Sequence, residues 1–257
     1  MTTVQDILDF LEALCPMRYK IEWDHTGLQL GSRNKPVKNV LLALDPFPHV
    51  CKEAVDTGAD LLLTHHPLIF NPTDSITDDN SVGCAALTLA ESGIVSISAH
   101  THLDCAPGGI NDTLAKLLGL ADIKTVDCDP DHLLRQGTLE TQSLQEFMGR
   151  VKAVLGTPVL RYADGGKPVS KVIVGGGSCG TEWHLAKEAG CDTFLTSDVK
   201  YNQFWNAKDA GMSIIDAGHF YTENPIIPVL ADKLQEAFPE LIVKISKTHR
   251  DCMKFYG

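Results

Sequence analysis

The hydrophobic and polar positions of this chain follow a pattern that occurs twice. Each copy predicts an apolar strand, an amphipathic helix and a second apolar strand. The two copies, which align without a gap, span residues 40–66 and 172–198. Each is followed by a helix and by a further matching segment with a third strand, at residues 92–104 and 210–223. The pattern therefore predicts the duplication of a strand–helix–strand–helix–strand unit.

The segment before the first copy predicts one helix and one loop. Thr3 can cap a helix whose apolar residues recur every three or four positions, and Pro16 ends that helix. The apolar stripe consists of Val4, Ile7, Leu8, Leu11 and Leu14. The segment EWDHTGLQLGS, residues 22–32, contains glycines and is predicted to form a loop.

Several further elements are predicted between and after the copies. The polar segment 71–80 is expected to be an exposed loop, and Asn111 or Asp112 is expected to cap a helix. Residues 128–170 have no counterpart in the repeat and predict a strand, a helix and a strand that link the two halves. A last helix near 224–237 precedes a closing strand.

Strands that alternate with helices predict an α/β fold with mostly parallel sheets flanked by helices. The duplication divides the chain into two related α/β halves, residues 1–127 and 128–257, with 128–170 as the connecting element. In such sheets, ligands bind beyond the carboxyl ends of the strands. The polar residues that follow each strand are therefore the candidates for chemistry.

Composition narrows the classes of function. The chain has 257 residues and a formal net charge of −11, which argues against general nucleic-acid binding because phosphates are neutralised by clustered Lys and Arg. The eight cysteines form no CxxC pair, so neither a zinc ribbon nor a thioredoxin-type motif is present. No apolar stretch reaches the ~18 residues that span a bilayer, and the acidic N-terminus does not predict a secretory signal. We expect a cytoplasmic protein with reduced thiols and no membrane partner.

A pair of histidines, His65 and His66, closes the second strand of the first copy. Neighbouring strand residues point to opposite faces, but Pro67 constrains the backbone at this strand end, so both imidazoles could reach one cavity. The alternative is one buried, hydrogen-bonded histidine beside one surface histidine. The position of the pair at the end of an apolar strand favours the shared cavity.

The run from His100 to Asp104 leaves the third strand of the first copy. Strand alternation predicts that His100, His102 and Asp104 share one side of the chain. Two imidazoles and a carboxylate on one side suit a divalent ion such as zinc, manganese or iron. The alternative is a turn that Asp104 caps before Pro107. Cys105 is interpreted as a small core residue.

His219 and Glu223 follow the third strand of the second copy. Thr222 is predicted to cap a helix that has Pro225 in its first turn. His219 would then lie in the loop and Glu223 at the helix start, where the helix dipole favours a carboxylate. The dipole alone could account for Glu223; the functional interpretation is a ligand pair in which Glu223 bridges two ions.

The candidate metal ligands come from both halves of the chain. They are His65, His66, Asp104, His219 and Glu223. Five ligands are too few to saturate two octahedral ions, so positions remain for water. Two ions about 3.5–4 Å apart with open positions form a hydrolytic or phosphoester-type centre. His100 is predicted to orient a ligand or to carry a proton in catalysis.

A competing motif, Gly175-x-Gly177-x-x-Gly180, lies between a strand and a helix. It matches the dinucleotide-binding fingerprint, and Asp198 lies near the distance expected for an acidic ribose partner. The strand belongs to the repeat, however, and the first copy has Asp-Pro-Phe at residues 45–47. The glycines are therefore interpreted as residues of a tight turn, with contact to a substrate phosphate left open.

The chain as a whole resembles the GTP cyclohydrolase 1 type 2 homologues, also called the Nif-three-like dinuclear metal-binding proteins. The segments that carry the resemblance are EWDHTGLQLG, LLLTHHPLIF, SAHTHLDCAPGGIND, SDVKYNQFWNAKDAG and GHFYTENP. The resemblance implies two intertwined α/β halves and a toroidal homohexamer whose sites face an internal cavity. It also implies a two-metal site whose ligands are His65, His66, Asp104, His219 and Glu223.

Some features depart from the family pattern. His102 occupies a position where many members have Asn, and the closing segment THRDCMKFYG differs from the usual tail. The connection 128–170 is too short for the domain that longer members insert between the halves.

The predicted centre and the resemblance favour a metal-dependent hydrolase of the GTP cyclohydrolase type. Its cofactors would be two divalent ions, of zinc, iron or manganese, and its small-molecule substrate a nucleotide-like compound or another cyclic amide or phosphoester. The alternative is a non-catalytic metal-handling or scaffold protein, because no general base is evident beyond the ligands.

Overall fold

The computed structural model describes residues 1–256, in which helices and strands alternate along the chain. The helices are α1 (Val4–Leu14), α2 (Pro48–Asp56), α3 (Ser81–Glu91), α4 (Thr101–Cys105), α5 (Ile110–Leu117), α6 (Leu144–Leu155), α7 (Trp183–Glu188), α8 (Tyr201–Asp209), α9 (His219–Glu223) and α10 (Ile226–Ala237). The strands are β1 (Gly27–Leu30), β2 (Asn39–Ala43), β3 (Leu61–Thr64), β4 (Val95–Ser98), β5 (Ala121–Thr125), β6 (Arg135–Gln142), β7 (Arg161–Ala163), β8 (Val169–Val174), β9 (Thr193–Thr196), β10 (Ser213–Asp216) and β11 (Ile242–Ile245). The duplicated strand–helix–strand–helix–strand order is therefore confirmed, as β2-α2-β3-α3-β4 and β8-α7-β9-α8-β10.

The chain forms two compact units, each built from two segments. The first unit comprises Met1–Ala106 and Ile226–Arg250, and the second comprises Pro107–Pro225 and the residues from Asp251 onwards. These bounds differ from the predicted division after residue 127. The reason is that β11 pairs with β2 in the first unit, whereas α5 and β5 contact β6 in the second.

The sheet of the first unit has the strand order β1-β4-β3-β2-β11 within the described residues. β4, β3, β2 and β11 are parallel, and β1 pairs antiparallel with β4 at one edge. The side chains of β3 and β4 are buried along the whole length of both strands. β3 begins with a continuous apolar run, as is typical of a parallel strand buried on both faces, whereas β4 alternates apolar residues with the buried Ser96 and Ser98.

The first helix forms as predicted. The Thr3 side chain accepts a hydrogen bond from the backbone N–H of Asp6, while the Asp6 carboxylate accepts one from the backbone N–H of Thr3. This reciprocal capping box satisfies two backbone donors that the helix cannot pair internally. Val4, Ile7 and Leu11 form the buried stripe of α1.

The sheet of the second unit has the order β5-β6-β8-β9-β10-β7 in the part of the chain that the structure describes. The duplicated strands β8, β9 and β10 are parallel, as expected from their crossover helices. The remaining pairings, β5 with β6, β6 with β8 and β10 with β7, are antiparallel. This sheet is therefore mixed.

The segment 128–170 is more than a linker. It supplies β6, α6 and β7, and α6 packs its fully buried Phe147 and Val151 into the same core cluster as Val172 of the repeat. Apolar residues at this helical spacing form one buried stripe, which makes the segment an integral part of the second unit.

Other predictions need correction. Residues 22–32 are not entirely a loop, because β1 pairs with β4 there, with a register irregularity between Leu28 and Leu30. Neither Asn111 nor Asp112 is a helix cap, since α5 begins at Ile110 and both residues lie inside it. The Asn111 amide is instead hydrogen-bonded to Leu133 O and Gly176 N. The segment 71–80 is exposed throughout, as predicted.

The carboxylate of Glu53 in α2 holds the segment after β11 by hydrogen bonds. Glu53 accepts hydrogen bonds from the Ser246 hydroxyl, the Lys247 N–H and both the N–H and the hydroxyl of Thr248. Partial burial acts in the opposite direction, but these donors outweigh it and lower the pKa of Glu53 to about 2. The segment after β11 is thus held by an ionised side chain.

Candidate metal centre

Two histidines leave the central strand of the first unit's sheet. β3 ends at Thr64, and His65 and His66 follow it directly. Their ring centroids lie 4.7 Å apart, so the two imidazoles lie together despite being neighbours in the chain. The His65 side chain is fully buried, whereas that of His66 is 19% exposed. This position is the carboxyl end of a parallel strand, where α/β sheets bind ligands.

The neighbouring strand, β4, is followed by a short helix, and a further histidine and a carboxylate lie at and within that helix. His100 immediately precedes α4, and Asp104 lies four residues further along. Residues four apart share one side of a helix, and Oδ1 of Asp104 lies 3.7 Å from Nε2 of His65. The expected strand alternation over this run is wrong. Because residues Thr101–Cys105 are helical, His102 and Asp104 lie about 200° apart around the helix axis.

The imidazoles of His65, His66 and His100 form one group. Their nitrogen ligand atoms lie within 4.8 Å of one another. One ion of a metal that favours imidazole could be contacted by ligand atoms at that spacing.

The orientation of the first two imidazoles is fixed by hydrogen bonds from Nδ1. Nδ1 of His65 donates to the carbonyl oxygen of Ala99 over 2.8 Å, and Nδ1 of His66 donates to the Asp45 carboxylate over 2.7 Å. These acceptors require the proton on Nδ1, so in the neutral ring Nε2 carries the coordinating lone pair. Metal-binding histidines are commonly oriented in this way.

His100 is held by a buried carboxylate. Its Nδ1 donates to Asp24 over 2.9 Å, and the second oxygen of Asp24 accepts hydrogen bonds from the N–H and the hydroxyl of Thr101. Burial alone would raise the pKa of Asp24, but these hydrogen bonds lower it to about 2. Asp24 therefore stays ionised and keeps His100 in one orientation.

The second unit carries its own histidine–carboxylate pair. His219 and Glu223 are the first and last residues of α9, and Nε2 of His219 lies 3.0 Å from Oε2 of Glu223. Nδ1 of His219 donates to Asp198 over 2.7 Å. Burial lowers the pKa of His219, but the two carboxylates outweigh burial and raise it to about 11. Without a metal the imidazole is thus a cation between two anions.

The predicted local structure around His219 is wrong in one respect. Thr222 does not cap a following helix, because α9 already starts at His219. The Thr222 hydroxyl instead donates to the carbonyl of His219 and accepts from the N–H of Gly177. A single helical turn therefore aligns His219 and Glu223, just as α4 aligns His100 and Asp104.

Gly177 of the glycine-rich loop lies next to His219 and Glu223. Gly177 has φ +68°, and a Cβ at this position would lie 2.0 Å from Oε1 of Glu223 and 3.4 Å from Nε2 of His219. Asp198, considered above as a ribose partner, is hydrogen-bonded to His219. The tight-turn interpretation of the motif fits these contacts, and its glycine leaves space for the carboxylate.

Two other residues that were considered as ligands from the sequence differ from this group in their surroundings. His102 and Cys105 are buried, and neither belongs to a group of converging ligand atoms among residues 1–256. Burial lowers the pKa of His102 to about 4, so this imidazole is neutral at physiological pH.

The donor chemistry fits a metal. The first unit offers imidazoles and a carboxylate, and the second offers an imidazole and a carboxylate, with each imidazole fixed through Nδ1. Nitrogen and carboxylate donors of this kind suit zinc, iron or manganese. The sequence did not predict that Asp24, Asp45 and Asp198 orient the histidines. Asp45 and Asp198 lie just beyond β2 and β9, as the candidate ligands lie beyond their strands, and this position is the signal that could have found them.

The fold and these donor groups define an α/β protein whose residues could hold a metal ion. The chain belongs to the Duf34/NIF3 (NGG1p interacting factor 3) family, whose model matches residues 2–252. The resemblance inferred from the motifs is thereby confirmed. Among residues 1–256 we find no helix that has both the length and the apolar character needed to cross a membrane.

Similar proteins support this assignment. A protein of Clostridium perfringens called "GTP cyclohydrolase 1 type 2 homolog" is 33% identical, with 98% of this chain and 99% of that protein covered. A protein of Lactococcus lactis with the same name is 34% identical, with 98% of each covered. The crystal structure of a Bacillus cereus protein related to NIF3 has a TM-score of 0.92 at 24% identity, covers 100% of this chain and 99% of that one, and so shows the shared fold.

Proposed function

We propose that this protein is a metal-dependent hydrolase of the GTP cyclohydrolase type. The observation that carries the proposal is the shared orientation of His65, His66 and His219. Each donates its Nδ1 proton to a carbonyl or carboxylate oxygen, which makes Nε2 the coordinating nitrogen. The substrate would be a nucleotide-like molecule or another cyclic amide or phosphoester.

The proposed centre is dinuclear and draws on both units. Its ligands are His65, His66, Asp104, His219 and Glu223. Two divalent ions of zinc, iron or manganese suit this mixture of imidazole and carboxylate. Glu223 has two carboxylate oxygens and would supply ligand atoms for both ions. The 3.0 Å approach of Glu223 to His219 and the 3.7 Å approach of Asp104 to His65 support the pairing of ligands within each unit.

Divalent ions at such a centre supply Lewis-acid polarisation of the substrate and activation of water near neutral pH. The side chains of the protein have separate tasks. Asp45 and Asp198 hold the rings of His66 and His219 in place, so that no reorientation is needed during the reaction.

His100 is proposed to handle protons. Its Nδ1 proton is committed to Asp24, so Nε2 is the atom that would accept a proton and return it. The ionised Asp24 stabilises the imidazolium that forms, as a carboxylate does in other histidine–carboxylate pairs. His100→Gln is therefore expected to reduce turnover by about 10²–10⁴-fold while metal content is retained. Loss of metal in that variant would make His100 a ligand instead.

The enzymatic proposal is tested with GTP, because the curated relatives carry a GTP cyclohydrolase name. Protein purified without chelators is loaded with each metal in turn, and loss of GTP is followed by chromatography. We expect turnover within the ordinary enzymatic range of about 1–10³ per second, abolished in His65→Ala. His184→Ala, an exposed histidine of α7, is the matched control and should retain turnover.

Retained turnover in a metal-free His65→Ala sample would contradict the hydrolase proposal. Failure of the metal-loaded protein to convert GTP and a broad panel of cyclic amides and phosphoesters would also contradict it. Metal transfer to a client protein in the same samples would then favour the metal-handling or scaffold role.

We also propose a toroidal homohexamer in the cytoplasm. The support for the hexamer is the family resemblance, and the support for a reducing compartment is that cysteines such as Cys15 and Cys51 form no disulfide. Burial raises the pKa of both the Cys15 and the Cys51 thiols to about 12, so both stay protonated at neutral pH. Light scattering should give six times the chain mass of 27.9 kDa. A monomeric or dimeric mass would contradict the hexamer.

A further inference from the structure

Two exposed aromatic rings lie beside the histidine group of the first unit. Trp23 is 55% exposed and Phe70 is 48% exposed. Their ring centroids are 5.9 Å apart, with the ring planes tilted by 45°. Exposing two large apolar faces side by side is unfavourable in water, and such surfaces commonly bind a partner or ligand.

Both rings contact His100. The centroid of His100 lies 6.0 Å from that of Trp23 and 5.8 Å from that of Phe70, in edge-to-face arrangements of about 70° in both cases. His100 is only 7% exposed, whereas both aromatic rings are about half exposed. The imidazole proposed to handle protons is thus in contact with this aromatic surface.

The loop that carries Trp23 is fixed on both sides. Before it, the Lys20 ammonium donates to the carbonyl oxygens of Ile21, Glu22 and Asp24. After it, the buried Asp24 carboxylate is hydrogen-bonded to His100 and Thr101. The backbone of Trp23 is therefore held while its ring remains exposed. A rigid aromatic ring loses little conformational entropy when a ligand binds.

The side-chain amide of Gln29 forms hydrogen bonds to residues close to Trp23 and close to Phe70. The Gln29 Nε2 donates to the carbonyl of His25 over 2.9 Å, and its Oε1 accepts from the N–H of Ile69 over 3.1 Å. Trp23 and Phe70 each lie within two residues of these contacts. Gln29 therefore links the segment that carries Trp23 to the segment that carries Phe70.

The aromatic surface adjoins a cavity at the ligand group. Phe70 lines a cavity of about 230 Å³ together with Phe47, Asp45 and His66. Ligand sites are typically apolar concavities with a few fixed polar groups, which describes this one. A molecule placed on Phe70 would thus lie next to His66.

We propose that Trp23 and Phe70 form a stacking surface for the planar nitrogen heterocycle of the substrate. The inference rests on the proposed function, and it deepens it by naming the substrate class and the residues that recognise it. Every nucleobase offers a π-face, and stacking on an aromatic side chain is worth about 1–3 kcal/mol per base. Two ring faces cover far less than the ~800 Å² per partner of a stable protein interface, so a small ligand is favoured over a protein.

The test is equilibrium dialysis of GTP with the metal-loaded full-length protein, the bound compound being identified by chromatography. Ribose 5-triphosphate, which lacks the base, is the matched probe. Trp23→Ala is expected to weaken GTP binding on the order of tenfold to a hundredfold, with Trp23→Phe close to the wild type. Binding of ribose 5-triphosphate and metal content should not change. Trp205→Ala removes an exposed tryptophan of the second unit and should have no effect.

An independent measurement uses the double variant Trp183→Phe/Trp205→Phe, in which Trp23 is the remaining tryptophan of three. GTP should quench its fluorescence, and ribose 5-triphosphate should not. The proposal is overturned if the wild-type protein does not bind GTP or if Trp23→Ala binds GTP with unchanged affinity. It is also overturned if Trp23→Ala weakens the binding of GTP and of ribose 5-triphosphate by the same factor. A change in assembly mass in Trp23→Ala with unchanged GTP binding would make the surface a protein interface. GTP bound through Trp23 but never converted would instead refute the hydrolase proposal alone.

Discussion

His66 donates its Nδ1 proton to the carboxylate of Asp45, with 2.7 Å between the two heavy atoms. In the gapless alignment of the two copies, Gly177 stands opposite Asp45 and Asp198 stands opposite His66. The second copy uses these positions differently, because Asp198 orients His219 and Gly177 leaves space for a carboxylate. The duplication has thus given two histidine–carboxylate pairs built from different positions of one pattern.

Removal of the Asp45 carboxylate should weaken metal binding without removing a ligand. Asp45→Ala deprives His66 of the acceptor that fixes its ring and its tautomer, so we expect a loss of about 10–100-fold in metal affinity. Competition with a chelator of known affinity measures the effect. Asp56→Ala, which removes an exposed carboxylate paired with Lys52, is the control and should match the wild type. Equal affinities in the two variants would refute the orienting role.

Gly177→Ala should displace Glu223. Gly177 and Gly190 both have φ +68°, but a Cβ would clash with Glu223 only at Gly177, whereas a Cβ at Gly190 would meet Nζ of Lys171 at an ordinary contact distance of 3.8 Å. Both substitutions should cost about 1 kcal/mol of stability for the left-handed backbone. Only Gly177→Ala should also lose metal, as read by elemental analysis. Full metal content in that variant would contradict the requirement for Glu223.

Glu53 should make stability depend on pH. Its pKa is lowered from 4.5 to about 2, so its stabilising effect is complete above pH 4.5 and is lost as the pH falls through about 2. Glu53→Gln should reduce the free energy of unfolding by about 1–2 kcal/mol at neutral pH, and by less near pH 3. Urea unfolding of both proteins at each pH measures the difference. Glu91→Gln, at an exposed end of α3, should show no such trend.

His102→Asn should leave the metal centre intact. The helical turn of α4 places His100 and Asp104 on one side and His102 on another. Metal content should therefore equal that of the wild type, and His102→Asn should differ from Asp104→Asn, which should lose metal. Equal losses in the two variants would restore His102 as a ligand.

The sequence was most informative where apolar runs are long. β2 and β3 contain the buried apolar runs 40–43 and 61–63, so these strands and the helix between them could be predicted. β1 was not predicted because its four residues begin at Gly27 and are followed by Gly31, and these glycines indicate a loop when no partner strand is known. Its pairing with β4 is a tertiary contact that local patterns do not encode.

The short helices also could not be predicted. α4 and α9 have five residues each, too few for a helical period to be distinguished from strand alternation. The positions of the histidines and acids were nevertheless visible, because they follow strands. Their hydrogen-bond partners were not, since Asp24 lies 76 residues from His100 and Asp45 lies 21 residues from His66.

The most direct test of the proposed dinuclear centre is anomalous diffraction at a metal edge, from crystals of protein purified without chelators. Two anomalous peaks per chain are expected, about 3.5–4 Å apart, with His65, His66 and Asp104 on one side and His219 and Glu223 on the other. Peaks that lie far from either set of side chains, or an occupied first group with His219 remote from any metal, would contradict the proposed centre.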